Sequence, residues 1–414
     1  MPKTPRRVAA GCGGRTRTSD HRINNPALYQ LSYTTVSLLR RGGMVAERGD
    51  ACQPTNIDAL RPVHYTRELS SDGRRSQVVR QRSAKPPFAG SIPAVASISS
   101  PTSLSSSTSV PALTSLPTPS NFHFASTVVS HGWYLLAPFR WVRAEQTLHR
   151  PLLLGGKPVD LAISFAEGEL RIDGGADAKN IEKNSAELRR KLGRMFQLGI
   201  DTSEFVALSR GLQSHAWVET SGFGRLLCGA TLFEDVVKII ATTNTMWKQT
   251  VRMTELLVEK CGRRTKSGRV AFPEPEDVAR FSSEELQEDC RLGYRAKSIH
   301  TLASGIISGA IDLDAMSDPL QSTEELFASY RELPGIGPYG AAHLLAMDGR
   351  HDFIAVDTEF RRFVRERYHG GRPVSDRTML RRYAKWGRWK YLAYWSELWE
   401  SVAAGLQPPD AEGQ

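Results

Sequence analysis

Two glycines one residue apart, Gly335 and Gly337, break an otherwise helical pattern and define the most constrained corner of the chain. The segment reads Leu333-Pro334-Gly335-Ile336-Gly337-Pro338-Tyr339-Gly340-Ala341-Ala342. Apolar spacing over 322–333 predicts one helix ending near Arg331, and spacing over 339–347 predicts a second starting around Pro338. Proline suits a first helical turn, where its missing N–H would have had no partner. Glycine permits positive φ and leaves backbone N–H groups uncovered. Such groups at a helix N-terminus can hold a phosphate, helped by the helix dipole, without a local excess of Lys or Arg. A corner that serves only packing uses the same short Gly-x-Gly, so this segment alone does not decide between the two.

A second element follows at fixed distance. After the loop Asp348-Gly349-Arg350-His351-Asp352, the apolar run Phe353-Ile354-Ala355-Val356 presents one carboxylate, Asp357, where another helix begins at Thr358. Asp is a favoured N-cap. Capping and catalysis are compatible here, because a cap fixes the carboxylate while one oxygen stays available. Glu359 and Asp352 are the neighbouring alternatives.

The net charge of +10 does not locate a nucleic-acid surface. Residues 1–120 hold 16 Lys/Arg and 6 Asp/Glu, while the remainder holds 38 of each, so the whole excess lies in the first third. That third is Arg-rich and then polar, with 11 Ser, 4 Thr and 5 Pro between Ser91 and Ser120. Such a composition buries too little surface to offset its chain entropy, and disorder is expected over 1–120 and 406–414. A targeting leader and a start codon placed too early are both open readings of 1–120. Cytoplasm or nucleoid is the expected location, and an organelle or the nucleus if the leader is genuine. No run of 18 uncharged apolar residues is present, so no membrane association is expected.

The five cysteines, Cys12, Cys52, Cys228, Cys261 and Cys290, contain no C-x-x-C. They suit neither a disulfide framework nor a zinc or iron–sulfur ligand set, and Cys228 reads as a core residue. No metal and no cofactor are expected.

Between 121 and 180, β-like runs at 127–129, 133–135, 139–142, 148–154, 159–165 and 169–172 predict a small antiparallel sheet. From 181 to 405 the spacing is helical, with Ser283 and Asp376 as candidate N-caps. The fold class expected is α+β, mostly α: a small β domain followed by a helical bundle whose hairpin lies near 322–347.

Leu-Pro-Gly-Ile-Gly-Pro-Tyr-Gly-Ala-Ala followed by Ile-Ala-Val-Asp-Thr resembles the helix-hairpin-helix/Gly-Pro-Asp superfamily of base-excision DNA glycosylases, over roughly residues 122–405. The layout is similar to the alkyladenine and 8-oxoguanine branches, which place a β domain first. Three further segments carry the likeness. Thr231–Val237 resembles the helix entering the DNA-facing layer, Ala241–Trp247 the loop that plugs the gap left by a flipped base, and Gly293–Lys297 the segment wedged beside the orphaned partner base. The cysteine cluster of the iron–sulfur branch is absent, since no Cys follows Cys290.

The resemblance implies Asp357 as the catalytic carboxylate. It implies DNA contact by Gly335, Ile336, Gly337, Tyr339 and Gly340 of the hairpin, and by Asn244, Tyr294, Arg295 and Lys297. Bifunctional members carry a Lys at the position of Tyr339, and no Lys occurs between Lys297 and Lys385. The expected activity is therefore hydrolytic removal of a damaged base from duplex DNA by a monomer, without strand cleavage. Alkylated purines come first as expected substrates, oxidised purines second and mismatched pyrimidines third. A non-catalytic DNA-structure binder and a bifunctional glycosylase/lyase are the alternatives. Clusters of Lys and Arg at 260–269, 361–367 and 381–390 read either as phosphate contacts or as solvated, acid-paired faces.

Overall fold

In the computed structural model, residues 114–404 are described, apart from Pro319. The first of them form β1 (Thr114–Pro117), which pairs antiparallel with β5. This corrects the boundary drawn from composition, because these four residues were grouped with the polar extension. Strand pairing satisfies their backbone although the side chains are poor in apolar surface. The rest of that extension and the expected tail at 406–414 lie outside the described residues.

The sheet has five strands in the order β1-β5-β4-β3-β2, all antiparallel, with β2 Arg140–Val142, β3 Thr147–Leu154, β4 Lys157–Ala166 and β5 Glu169–Asp173. Gly155 and Gly156, both at positive φ, close the β3–β4 hairpin, as a tight two-residue turn requires. Val159, Leu161 and Ile163 alternate inward along β4. The runs at 127–129 and 133–135, expected as strands, are instead part of α1 (Phe124–Val128) and a 3-10 turn at Gly132–Leu135. Apolar runs of three residues are too short to show a period.

The helices are α2 (Ala178–Lys183), α3 (Ser185–Met195), α4 (Ser203–Ser209), α5 (Trp217–Ser221), α6 (Leu232–Thr242), α7 (Trp247–Cys261), α8 (Pro275–Val278), α9 (Ser283–Asp289) and α10 (Arg295–Ile307). They continue with α11 (Thr323–Glu332), α12 (Pro338–Met347), α13 (Thr358–His369), α14 (Asp376–Arg381) and α15 (Lys390–Ala404). The caps of α9 and α14 are Ser282 and Ser375, one residue before those expected. The class is α+β and mostly α.

All eleven residues of α6 are buried. Its first turn carries Glu234 and Asp235 into the core, and both are fully engaged. Glu234 accepts from Arg150 of β3 at 2.5 Å and from Lys238 at 2.7 Å. Asp235 accepts from the Trp133 indole, the Gly229 N–H and Arg194 at 2.7–2.8 Å. Arg150 and Lys238 each lie 4.5 Å from the Phe139 ring. These contacts join the sheet to the helices.

The hairpin helix α12 is apolar on all sides because two cores meet on it. Ala341, Leu344 and Leu345 face the core built around the sheet, α6 and α10, whereas Ala342 and Ala346 face a second, aromatic core containing Phe360, Tyr383, Trp386 and Tyr391. Asp357 follows the buried pair Ile354-Ala355, which belongs to this second core. Cys228 is buried, as expected.

Candidate active site

The hairpin forms as its sequence demands. α11 starts at a capping box, with Ser322 accepting from the Glu325 N–H, and ends at Glu332. Gly335 has φ +79°, and a Cβ there would stand 2.9 Å from Ser298 of α10. Gly337 differs from expectation: it is in an extended conformation at φ −99°, so it does not use positive φ. A Cβ added to it would meet nothing within 4 Å, so its face is open to an approaching ligand. Pro338 occupies the first turn of α12. Gly335 and Gly337 are exposed. Ile336 and Gly340 are buried, and Gly340 is where α12 crosses close to Ile239 of α6.

Asp357 caps α13. One carboxylate oxygen, Oδ1, accepts from the N–H groups of Glu359 at 3.0 Å and Phe360 at 2.7 Å. No hydrogen bond to Oδ2 is found among the described residues. Burial raises the carboxyl above the ordinary Asp range, and the two N–H groups and Arg361 oppose that rise. The neighbouring acids are otherwise engaged. Glu359 is buried and held by Arg362, and Asp352 lines a different cavity.

Tyr339 is half-buried beside this carboxylate. Burial and the charge of Asp357 both push its phenol upward. Four residues on, on the same face of α12, His343 lies 5.7 Å from the Tyr339 ring. Around His343 stand Trp133 at 5.8 Å, Tyr391 at 5.8 Å, His131 at 6.1 Å and Trp395 at 6.1 Å. Burial holds His343 at about 4, and burial together with the nearby His343 holds His131 at about 3, so both imidazoles are neutral at physiological pH. His131 Nε2–H donates to the Leu227 carbonyl at 2.6 Å, and its Nδ1 is then a buried acceptor with no partner.

This aromatic wall was missed in the sequence. His343 had a signal, the i+4 spacing from Tyr339, whereas His131 comes from a segment far away in the chain. The Trp-rich stretch divides: Trp386 and Trp389 are core residues, and Trp395 is half-buried at the wall.

The plug and wedge segments meet at the end of α6. Asn244 is exposed at φ +44°, and its amide lies 3.5 Å from the hydroxyl of Tyr294, itself 60% exposed. Arg295 is placed differently from a DNA contact. It is buried, and it donates to the carbonyls of Thr243, Asn244 and Leu292, so it braces the turn that carries Asn244. Lys297 is exposed one residue before Ser298, the side chain that packs under Gly335. Asn244, Tyr294, Lys297, Gly335 and Gly337 thus come from three elements that pack together, α6, α10 and the hairpin.

A cavity of about 1370 Å³ lies elsewhere, between α3, the start of α6 and the 348–352 loop, and none of Asp357, Tyr339 or His343 lines it. Its walls mix both charge signs. Among the described residues no group of three or more His, Cys, Asp or Glu side chains converges as a metal site. No helix there is long and apolar enough to cross a membrane.

A glycine hairpin that opens a buried helix, next to a carboxylate capping the following one, defines a class. Residues 237–388 match the HhH-GPD superfamily of base excision DNA repair proteins. That span includes the hairpin, Asn244, Tyr294 and Asp357. The fold extends beyond it. The 3-methyladenine DNA-glycosylase of Archaeoglobus fulgidus is similar at 20% identity over 69% of this chain and 98% of that one, with a TM-score of 0.56. An 8-oxoguanine glycosylase/lyase of Clostridium acetobutylicum, bound to double-stranded DNA with cytosine opposite 8-oxoG, is similar at 19% identity over 67% and 93%, with a TM-score of 0.52. No curated protein matches the chain.

Proposed function

We propose that this protein is a monofunctional DNA glycosylase that flips a damaged purine out of duplex DNA and hydrolyses its N-glycosidic bond. The observation that carries the reading is the carboxylate of Asp357, fixed by two N–H groups through one oxygen, with no donor on the other, one helix away from an exposed glycine hairpin.

The bond is inaccessible in stacked DNA, so the nucleotide must be extruded. Gly335 and Gly337 offer backbone to a phosphate, Asn244 enters the vacated space, and Tyr294 stands by the partner base. As the bond breaks, positive charge builds on the sugar, and the Asp357 carboxylate stabilises it. Water supplies hydroxide to the sugar carbon and a proton to the departing base, leaving an abasic site. Tyr339 offers a phenol where a lyase would need an amine, so no Schiff base forms and the strand stays intact. Hydrolysis of this kind requires no cofactor.

The flipped base is placed against Tyr339 and His343. Nδ1 of His131 then favours a base presenting an N–H, since an unpaired buried acceptor costs about 1–3 kcal/mol. That corresponds to about 5–150-fold in rate between a purine with a free amino or ring N–H and one whose donor is masked.

The test uses duplexes carrying one defined lesion each: 7-methylguanine, hypoxanthine, 1,N6-ethenoadenine and 8-oxoguanine. Cleavage is read with and without alkali for the wild type and Asp357→Asn. Alkali-dependent cleavage that the variant loses is expected. Alkali-independent cleavage would remove the monofunctional claim, and tight binding with no cleavage would leave a non-catalytic binder.

A further inference from the structure

Between Thr358 and Lys390 the chain carries eleven Lys or Arg and three Asp or Glu, a net of +8, whereas 114–357 carry 27 against 31, a net of −4. The described molecule is thus electrically polarised although its sum is near zero. The segment is amphipathic in the plainest sense. Val364, Met379, Tyr383, Trp386 and Trp389 are buried in the aromatic core, and Arg372, Arg377, Arg381, Arg382 and Lys385 face solvent.

Exposed arginines usually lose their charge to nearby acids, and the loop after α7 shows this. There Lys260 pairs with Asp289, Arg263 with Asp277, Arg264 with Glu259, Lys266 with Asp177 and Arg269 with Asp160. In the 358–390 segment the exposed Arg367 and Arg388 pair with Glu400 and Glu204, whereas Arg372, Arg377, Arg381, Arg382 and Lys385 have no ion pair among the described residues. Like charges held this close repel one another, a cost that a polyanion removes.

Their position specifies the polyanion. Arg361, one turn after Asp357, makes two 2.8 Å bonds to Asp376, which ties the start of α14 to the first turn of α13. Arg382 lies over the ring of Tyr368, near the far end of α13. The two helices therefore run side by side away from Asp357. The six residues of α14, which carry Arg377 and Arg381, span about 9 Å. A DNA strand presents one phosphate per about 3.4 Å, so this part of the stripe faces about three phosphates.

We propose that the α13–α14 stripe, centred on Arg372, Arg377, Arg381 and Lys385, binds the phosphate backbone of the duplex flanking the lesion, outside the residues that handle the flipped base. The inference rests on the glycosylase reading, which puts Asp357 at the sugar. It extends the DNA footprint to one side of the lesion and makes binding strongly salt-dependent.

The test replaces all four with Gln and measures binding to a duplex carrying a stable abasic analogue across a salt series. Thermal unfolding verifies that the variant is folded. The plot of log affinity against log salt is expected to become shallower by about 2–4, at about 0.9 for each phosphate that the variant leaves unneutralised. The single-turnover excision rate at saturating protein is expected to stay unchanged, and the affinity deficit to vanish on a short duplex ending within a few pairs of the lesion. Wild-type salt dependence in the variant overturns the proposal and points to an acidic protein as the partner, while the glycosylase reading stands. A deficit that persists on the short duplex also overturns it, because binding is then to the lesion site itself. Absence of DNA binding by the wild type overturns the reading and the stripe together.

Discussion

The two halves of the described molecule handle charge in opposite ways. In the sheet-facing half, every acid on the first turn of α6 is neutralised: Glu234 by Arg150 and Lys238, and Asp235 by Arg194, with the Trp133 indole as a further donor. The half that begins at Asp357 pairs Arg361, Arg362, Arg367 and Arg388 with acids but leaves part of its charge unspent. Its carboxylate uses one oxygen for capping, and the arginines of its outer stripe face solvent without acids. Both helices start with a capped, acid-bearing turn, so the local sequence does not separate them. What differs is what the tertiary fold brings to the acids. A charge that is fully met serves the fold, and one left partly unmet is available to a ligand.

The sharpest way to break this comparison is to unbalance the satisfied half. Glu234→Gln leaves Arg150 and Lys238 buried without their shared anion and is expected to cost about 3–5 kcal/mol in unfolding free energy. A loss under about 1 kcal/mol in denaturant titrations, the range of an exposed pair, would mean that this network is not structural. Asp357→Asn should do the reverse. Asn still caps the helix, and burial already disfavours the ionised form, so the melting temperature is not expected to fall. The excision rate is expected to drop by about 10²–10³.

The pH profile follows from the same shift. Burial lifts the Asp357 carboxyl above the ordinary value of about 3.9, and the active form is the anion. Excision therefore declines as pH falls through that raised value. Stability moves the other way, because the folded state holds the proton more tightly than the unfolded one, and this group costs stability as pH rises through the same window. A single-turnover rate independent of pH down to about 4, the ordinary carboxylate range, would contradict the assignment. Burial holds His343 at about 4 and His131 at about 3, so neither adds a limb near neutrality.

A smaller effect tests the two basic clusters against each other. Replacing Arg263, Arg264, Lys266 and Arg269 with Gln should leave the salt dependence of DNA binding as it is, in contrast to the α13–α14 variant. The hairpin glycines give the finest contrast. Gly335→Ala forces a Cβ against Ser298 at positive φ and is expected to cost about 1–3 kcal/mol of stability. Gly337→Ala should change stability by less than about 0.5 kcal/mol, since the site is open, while weakening DNA binding through its new methyl group. Equal behaviour of the two variants would show that the hairpin is a packing corner only.

Much of this was legible in the sequence, and the parts that were not share a cause. The hairpin, both of its helices and the capping of α13 by Asp357 depend on local rules: proline in a first turn, glycine in a tight turn, a carboxylate at an N-cap. Helix α7 was read at its observed ends, because fifteen residues are long enough to show a 3.6-residue period. Short helices such as α4 and α5 gave no period to read. Arg295 was read as a DNA contact because nothing near it in sequence shows that three carbonyls would claim its guanidinium. Likewise, Lys and Arg clusters of similar density at 260–269 and 361–390 look alike until the fold supplies acids to one and leaves the outer stripe of the other without them.

By itself, then, the sequence determined the α+β class, the hairpin, the position of Asp357 and the absence of an amine at Tyr339. These follow from interactions within about ten residues of chain, the reach of helical and turn patterns. Only the tertiary structure decided which charges stay available and which aromatic rings gather beside Asp357. Neutralising a charge or assembling a wall of rings depends on partners up to 270 residues away, as the indole of Trp399 on the Val129 carbonyl shows, and no local pattern encodes their approach.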